Sequence, residues 1–158
     1  METNEKILYT SIYKYLEEAQ VEDLNDEDIK FINTIELDTR EFIKDIGIRA
    51  SLKGYKYIKE SIYVELLKDT KYDIKEYNTL ITTIAEENNT EKYNIERSIR
   101  YAIEVLKNSR DYNELNKFLG KDVFSKYNMP TNLEFIFYAA EKIRDSKSKC
   151  NTFRNKII

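Results

Sequence analysis

The 158-residue chain has no histidine, no tryptophan, one cysteine, one proline and three glycines. Each scarcity excludes something. Without histidine the chain lacks the side chain most used for acid–base chemistry and zinc binding near neutral pH. Its single cysteine, Cys150, rules out an intrachain disulfide and a cysteine-only metal site. Cys150 also sits in a polar stretch beside Lys149 with no base partner to activate it, so it reads as an ordinary thiol. There is no glycine-rich phosphate loop. An enzyme is therefore not expected, nor a cofactor or a metal. Hairpins need residues that tolerate unusual backbone angles, and so few Gly and Pro argue against a turn-rich β fold. No apolar run is long enough to span a bilayer, and the charged start from Glu2 lacks a secretory core. The expectation is a cytoplasmic protein without membrane contact.

What is present is helical in pattern. Hydrophobic residues at 41% are enough for a core, and charged residues at 35% suit solvated helix faces. The charge is unevenly placed. Residues 1–40 carry four Lys/Arg against eleven Asp/Glu, and residues 41–158 carry 22 against 18. An acidic head thus precedes a basic body, which motivates a division into a helical extension (1–40), a main domain (41–145) and a basic tail (146–158). A merely acidic first helix explains the charge equally well.

Along the chain, apolar spacing predicts a helix over 5–19 carrying Ile7, Leu8, Ile12, Tyr15 and Leu16. That stripe either packs back on the domain or pairs with a second copy as a homodimer. A short second helix carries Ile29, Phe31 and Ile32 and is capped by Asn25 or Asp26; the run Asp26–Asp28 reads as its solvated start rather than a cation site. A third, over 38–49, is capped by Asp38 or Thr39 and stopped by Gly47. A turn at 52–54 leads into a helix with Tyr63, Leu66 and Leu67. Residues 74–88 place Leu80, Ile81, Ile84 and Ala85 inward. Asn88-Asn89-Thr90 breaks that helix, and Thr90 is the expected cap of the next, over 91–108, with the stripe Ile95, Ile99, Ala102, Ile103 and Leu106. A short helix before Gly120 and a last one over 133–144, capped by Thr131 or Asn132, complete an all-α fold.

The most informative constellation is Ala85, Asn89 and Ile95. A small residue permits close helix approach, Asn tolerates a left-handed backbone, and Ile95 plugs the corner. This is helix-turn-helix spacing, although any tight αα-corner wants the same three residues. The second helix adds chemistry. Arg97 and Arg100 can pair with guanine or clamp phosphate, Asn94 can read adenine, and Glu96 can accept from cytosine. Lys92 and Lys107 bracket the helix at positions suited to backbone contact, with Lys53 a further cation nearby. Against this stands a plain solvated face with Glu96 and Arg100 as an i,i+4 ion pair.

The ordered set Ile46-Gly47-Ile48, Lys53-Gly54-Tyr55, Ile95-Glu96-Arg97, Ile99-Arg100, Ala102-Ile103-Glu104-Val105 and Pro130-Thr131-Asn132 with Glu134-Phe135 resembles the C-terminal DNA-binding domain of the sporulation initiation master regulator (stage-zero sporulation protein A) of endospore-forming bacteria. The resemblance covers about 41 to 145. It implies a transcription regulator, nucleoid-associated, that reads an operator in double-stranded DNA, with Glu96 and Arg97 at base-reading positions and Arg100 at another basic position of that helix. Asn94 and Tyr101 on the same helix join the expected base-reading set, and Lys53, Lys92, Arg100 and Lys107 the expected backbone contacts. RNA polymerase is an implied further partner. The pattern departs at several points. The family has arginine where this chain has Asn94, histidine where it has Tyr101, and basic residues where it has Glu86-Glu87, while residues 110–124 diverge. The family's receiver domain does not fit into the forty residues before the match, so receiver-based control is not implied. These departures motivate an alternative: a receiverless interaction module that antagonises or modulates a full-length sporulation regulator.

Overall fold

The computed structural model describes residues 24–68 and 73–146; the helix expected over 5–19, the loop residues 69–72 and the tail with Cys150 lie outside the described residues. Six helices form the described part, with no strand among the described residues: α1 Asp26–Ile46, α2 Lys53–Lys68, α3 Ile74–Glu87, α4 Lys92–Ser109, α5 Tyr112–Leu119 and α6 Asn132–Ser146. None of them is long and apolar enough to cross a membrane.

Where two short helices are expected, α1 runs unbroken for 21 residues. Asn25 opens it with a reciprocal capping box: its side chain accepts from the Asp28 N–H at 2.8 Å, and the Asp28 carboxylate accepts from the Asn25 N–H at 3.1 Å. The start of the helix is therefore acidic, as expected, but Asp28 is buried rather than solvated. Thr39 is no cap. It lies fully buried inside the helix, and the change of charge at residue 40 falls within α1 rather than between elements. The reason is packing: Ile32, Ile35, Phe42, Ile43 and Ile46 make one apolar face that carries the helix through its polar middle. Gly47 ends it at φ 113°, as expected, and the Arg110 guanidinium donates to the carbonyls of Asp45 (2.8 Å) and Ile46 (2.6 Å) that the helix leaves open.

Helix α2 is the hub, packing on α1, α3, α4 and α6. Every residue from Glu60 to Leu67 is buried, including two carboxylates. A helix apolar all round would be simpler to bury, and these acids are met by cations instead. Lys56 lies 3.8 Å from Glu60, and Arg144 of α6 reaches the Glu65 carbonyl at 2.9 Å and its carboxylate at 3.9 Å. The Tyr63 hydroxyl donates at 3.2 Å to the buried Glu36 of α1, which Arg40 also meets at 2.7 Å. Charges removed from water need such partners, and removing one partner is more damaging than never having had the pair.

The tightest crossing is between α2 and α4. A β-carbon added to Gly54 would overlap the carbonyl oxygen of Ser98 and lie 2.9 Å from the Ala102 β-carbon. Glycine at 54 and alanine at 102 are what let the two backbones meet. At the far end of the chain, Thr131 and Glu134 form the second capping box, each side chain accepting from the other's N–H (3.0 and 2.9 Å), and α6 buries the expected stripe Phe135, Ile136, Ala139, Ala140 and Ile143. The short α5 ends at Gly120, and the Asn116 side chain pins the following loop at Val123 and Phe124.

Gly54→Ala is expected to lower stability by about 2 kcal/mol, because overpacking against backbone exceeds the gain in helix propensity. Urea unfolding followed by circular dichroism measures it, and an unchanged midpoint contradicts the close crossing.

Candidate nucleic-acid interface

Helices α3 and α4 meet across four residues, 88–91. Asn89 sits at φ 52°, as its place in the turn predicts. The Thr90 N–H bonds back to the Ala85 carbonyl (3.0 Å) and the Asn89 N–H to that of Glu86 (3.2 Å), the paired bonds of a helix end closed by a left-handed residue. Lys56 of α2 steadies the corner by donating to the Asn88 side chain at 3.1 Å. Thr90 does not cap α4. The cap position is Glu91, without a side-chain bond, and the Thr90 hydroxyl instead accepts from the Asn94 amide at 2.9 Å. Ala85 and Ile95 are buried at the corner, and all five residues of the expected α4 stripe are buried.

Opposite that stripe no described helix covers α4. Tyr93 (66% exposed), Asn94, Arg97, Tyr101 (58% exposed) and Glu104 face outward. Arg97 forms the crest, its guanidinium over the Tyr93 ring at 5.7 Å. An open groove of about 860 Å³ runs along one side of the crest, lined by Lys53 and Tyr57 of α2 together with Asn94, Arg97 and Tyr101. A second depression of about 630 Å³ lies on the other side, where Tyr77, Glu96 and Asn132 converge. Lys53 thus joins Asn94, Arg97 and Tyr101 on one continuous surface.

The remaining candidates are already engaged. Arg100 donates to the Pro130 carbonyl at 2.7 Å, tying α4 to the turn before α6. Lys92 donates to the Asn78 side chain at 3.1 Å, and Lys107 to the Lys126 carbonyl at 3.2 Å. The i,i+4 ion pair between Glu96 and Arg100 does not form. Glu96 turns to the other side, where its Oε1 accepts from the Tyr77 hydroxyl at 2.7 Å and from the Asn132 amide at 3.1 Å; the same amide also donates to the Glu96 carbonyl at 2.9 Å. Of the two acids near the end of α3, Glu86 is exposed and Glu87 half-buried.

Tyr77, and the role of Asn132 beyond a helix cap, are what the sequence reading missed. Tyr77 is buried, whereas Leu80, expected inward, is only half-buried. The spacing 77, 81, 84, 85 does carry a signal for Tyr77. Nothing in one dimension links it to Glu96 or either of them to Asn132. Burial, and next the hydrogen bond to the Glu96 carboxylate, push the Tyr77 hydroxyl well above the ordinary tyrosine range.

With this geometry in view, residues 39–143 match the model of the family described as "Sporulation initiation factor Spo0A C terminal". The match covers α2 to α5 entirely, the end of α1 and nearly all of α6.

The buried phenol gives a signed pH dependence. Tyr77 stays protonated in the folded chain while its unfolded counterpart ionises near pH 10, so its contribution is intact below pH 10 and is lost above it. Between pH 10 and 11 the parent is expected to lose about 1 kcal/mol more than Tyr77→Phe. Chemical denaturation at stepped pH measures the difference, and parallel curves contradict a buried, bonded hydroxyl.

Proposed function

The chain belongs to the family of the Spo0A C-terminal domain, and on that premise we propose that it is a sequence-specific regulator of transcription that seats α4 in the major groove of double-stranded DNA. One observation carries this: the outward side of α4, with Arg97 at its crest, stands clear of every described helix and is long enough to enter a groove. Asn94, Arg97 and Tyr101 are the base-facing side chains. An arginine pairs with guanine through two bonds, an asparagine with adenine through two, and a tyrosine ring contacts a thymine methyl. Glu96, fourth in the set, accepts from cytosine. Lys53 stands at the edge of the same surface and takes phosphate, with Lys92, Arg100 and Lys107 exchanging their present acceptors for phosphate oxygens.

A second reading has its own support. Glu104 lines this surface and Glu86 is exposed on the preceding helix α3, and acids on a DNA-facing side oppose a polyanion. In that reading the α4 face docks on a full-length relative, and DNA binding is weak and indiscriminate.

Selection from random duplexes, followed by gel shift of the selected and a scrambled probe at several salt concentrations, separates the two. Specific binding is expected to weaken with a log–log slope of about −3.6 for four phosphate contacts, and Lys53→Ala to flatten it by about one unit. Arg97→Ala is expected to reduce preference for the selected probe by roughly ten- to a hundredfold. Equal, weak retardation of both probes overturns the proposal and favours the second reading.

A further inference from the structure

Glu96 reaches its place through two residues outside its own helix. Tyr77 comes from the first turn of α3, and Asn132 is the first residue of α6. Both donors converge on a single carboxylate oxygen, Oε1. The Tyr77 side chain is buried and its hydroxyl keeps its proton, so it is a permanent donor at any working pH. Asn132 is fixed in turn by a second bond to the Glu96 carbonyl, so amide and carboxylate cannot swing apart independently. The i,i+4 partner that would have drawn the carboxylate along the helix surface, Arg100, is held at the Pro130 carbonyl. Three elements therefore fix one rotamer of one acidic side chain, at the lip of the depression beside Arg97.

An acid beside a DNA-facing surface is ordinarily a liability, and it is pushed away by phosphate unless something holds it. Here two neutral donors stabilise its charge without adding a counter-cation that would compete for it. They saturate Oε1 and leave Oε2, which accepts from neither. We propose that Tyr77 and Asn132 are specificity-setting positioning residues, which anchor Glu96 by one oxygen so that the other is presented to the exocyclic amino group of a cytosine next to the base pair read by Arg97. This rests on the DNA-binding reading above. The donor pattern fits the ligand, because cytosine offers a donor where adjacent guanine edges offer acceptors, and a fixed carboxylate rejects those acceptors. Holding the side chain beforehand also removes the rotamer entropy that an exposed glutamate loses on binding.

The test reads base preference rather than affinity. The parent, Glu96→Ala, Tyr77→Phe, Asn132→Ala and the double variant Tyr77→Phe/Glu96→Ala are each profiled against the selected duplex with every single-base replacement. Thermal unfolding of each variant checks folding. Glu96→Ala is expected to erase cytosine preference at one base pair. Tyr77→Phe and Asn132→Ala are each expected to reduce preference at that same base pair by about five- to tenfold, while the profile elsewhere is retained. In the Glu96→Ala background Tyr77→Phe is expected to change nothing further in the profile. If either positioning variant lowers binding to every duplex alike, Tyr77 and Asn132 merely support the fold and the proposal falls. It falls also if Glu96→Ala leaves the profile intact, with specific binding by the parent still standing. Should Tyr77→Phe fail to fold, Asn132→Ala decides by the same criterion. A parent that selects no duplex at all instead defeats the DNA-binding reading itself.

Discussion

Gly54 and Ser98 meet where no side chain can stand between them, and this contact governs the surface that the chain presents. Helix α2 is buried along most of its length and touches four other helices, so it acts as the frame against which the others are placed. Because α4 rests on that frame backbone to backbone, its inner stripe is used up completely. Its outer side is left to project. A larger residue at 54 would lift α4 away and carry the Arg97 crest with it. Packing density in the interior leaves no slack to absorb such a displacement.

The same frame explains the unusual number of acids inside. Glu36, Glu60 and Glu65 are buried among helices α1, α2 and α6, and each meets a cation or a hydroxyl drawn from a different position. Such pairs add little net stability compared with an apolar core, because desolvation offsets much of the attraction. Their contribution is directional. A leucine face tolerates sliding, whereas an acid that must face Arg144 or Tyr63 fixes the register of one helix against another. The interface side obeys a similar rule, with Arg100 fastened to the Pro130 carbonyl and Glu96 to Tyr77 and Asn132.

Much of this was legible in the sequence, and what was not has a common cause. The α4 stripe, the left-handed Asn89, the stop at Gly47 and the α6 stripe follow from spacing and backbone preference, which are local. The outward position of Asn94, Arg97 and Tyr101 follows from the same period. Helix α1 did not read as continuous because its polar middle looks like a break. Only the neighbours of Thr39 and Glu36 in space reveal an interior. Thr90 looked like a cap from composition, but its hydroxyl found Asn94 instead. The Glu96 anchorage draws on residues 19 positions before it and 36 after it, so it has no signature in one dimension.

The long reach of two arginines bears on how the chain acquires its shape during synthesis. The last carbonyls of α1 receive their donor from Arg110, 64 and 65 residues later, and Glu65 meets Arg144 only 79 residues on. An emerging polypeptide therefore builds its central helix well before the guanidinium that orients it has left the ribosome. Early helices can form and associate, but their alignment stays provisional until α6 arrives. Assembly is thus weighted toward the stage at which α6 becomes available, because the contacts that align the earlier helices are distant along the chain.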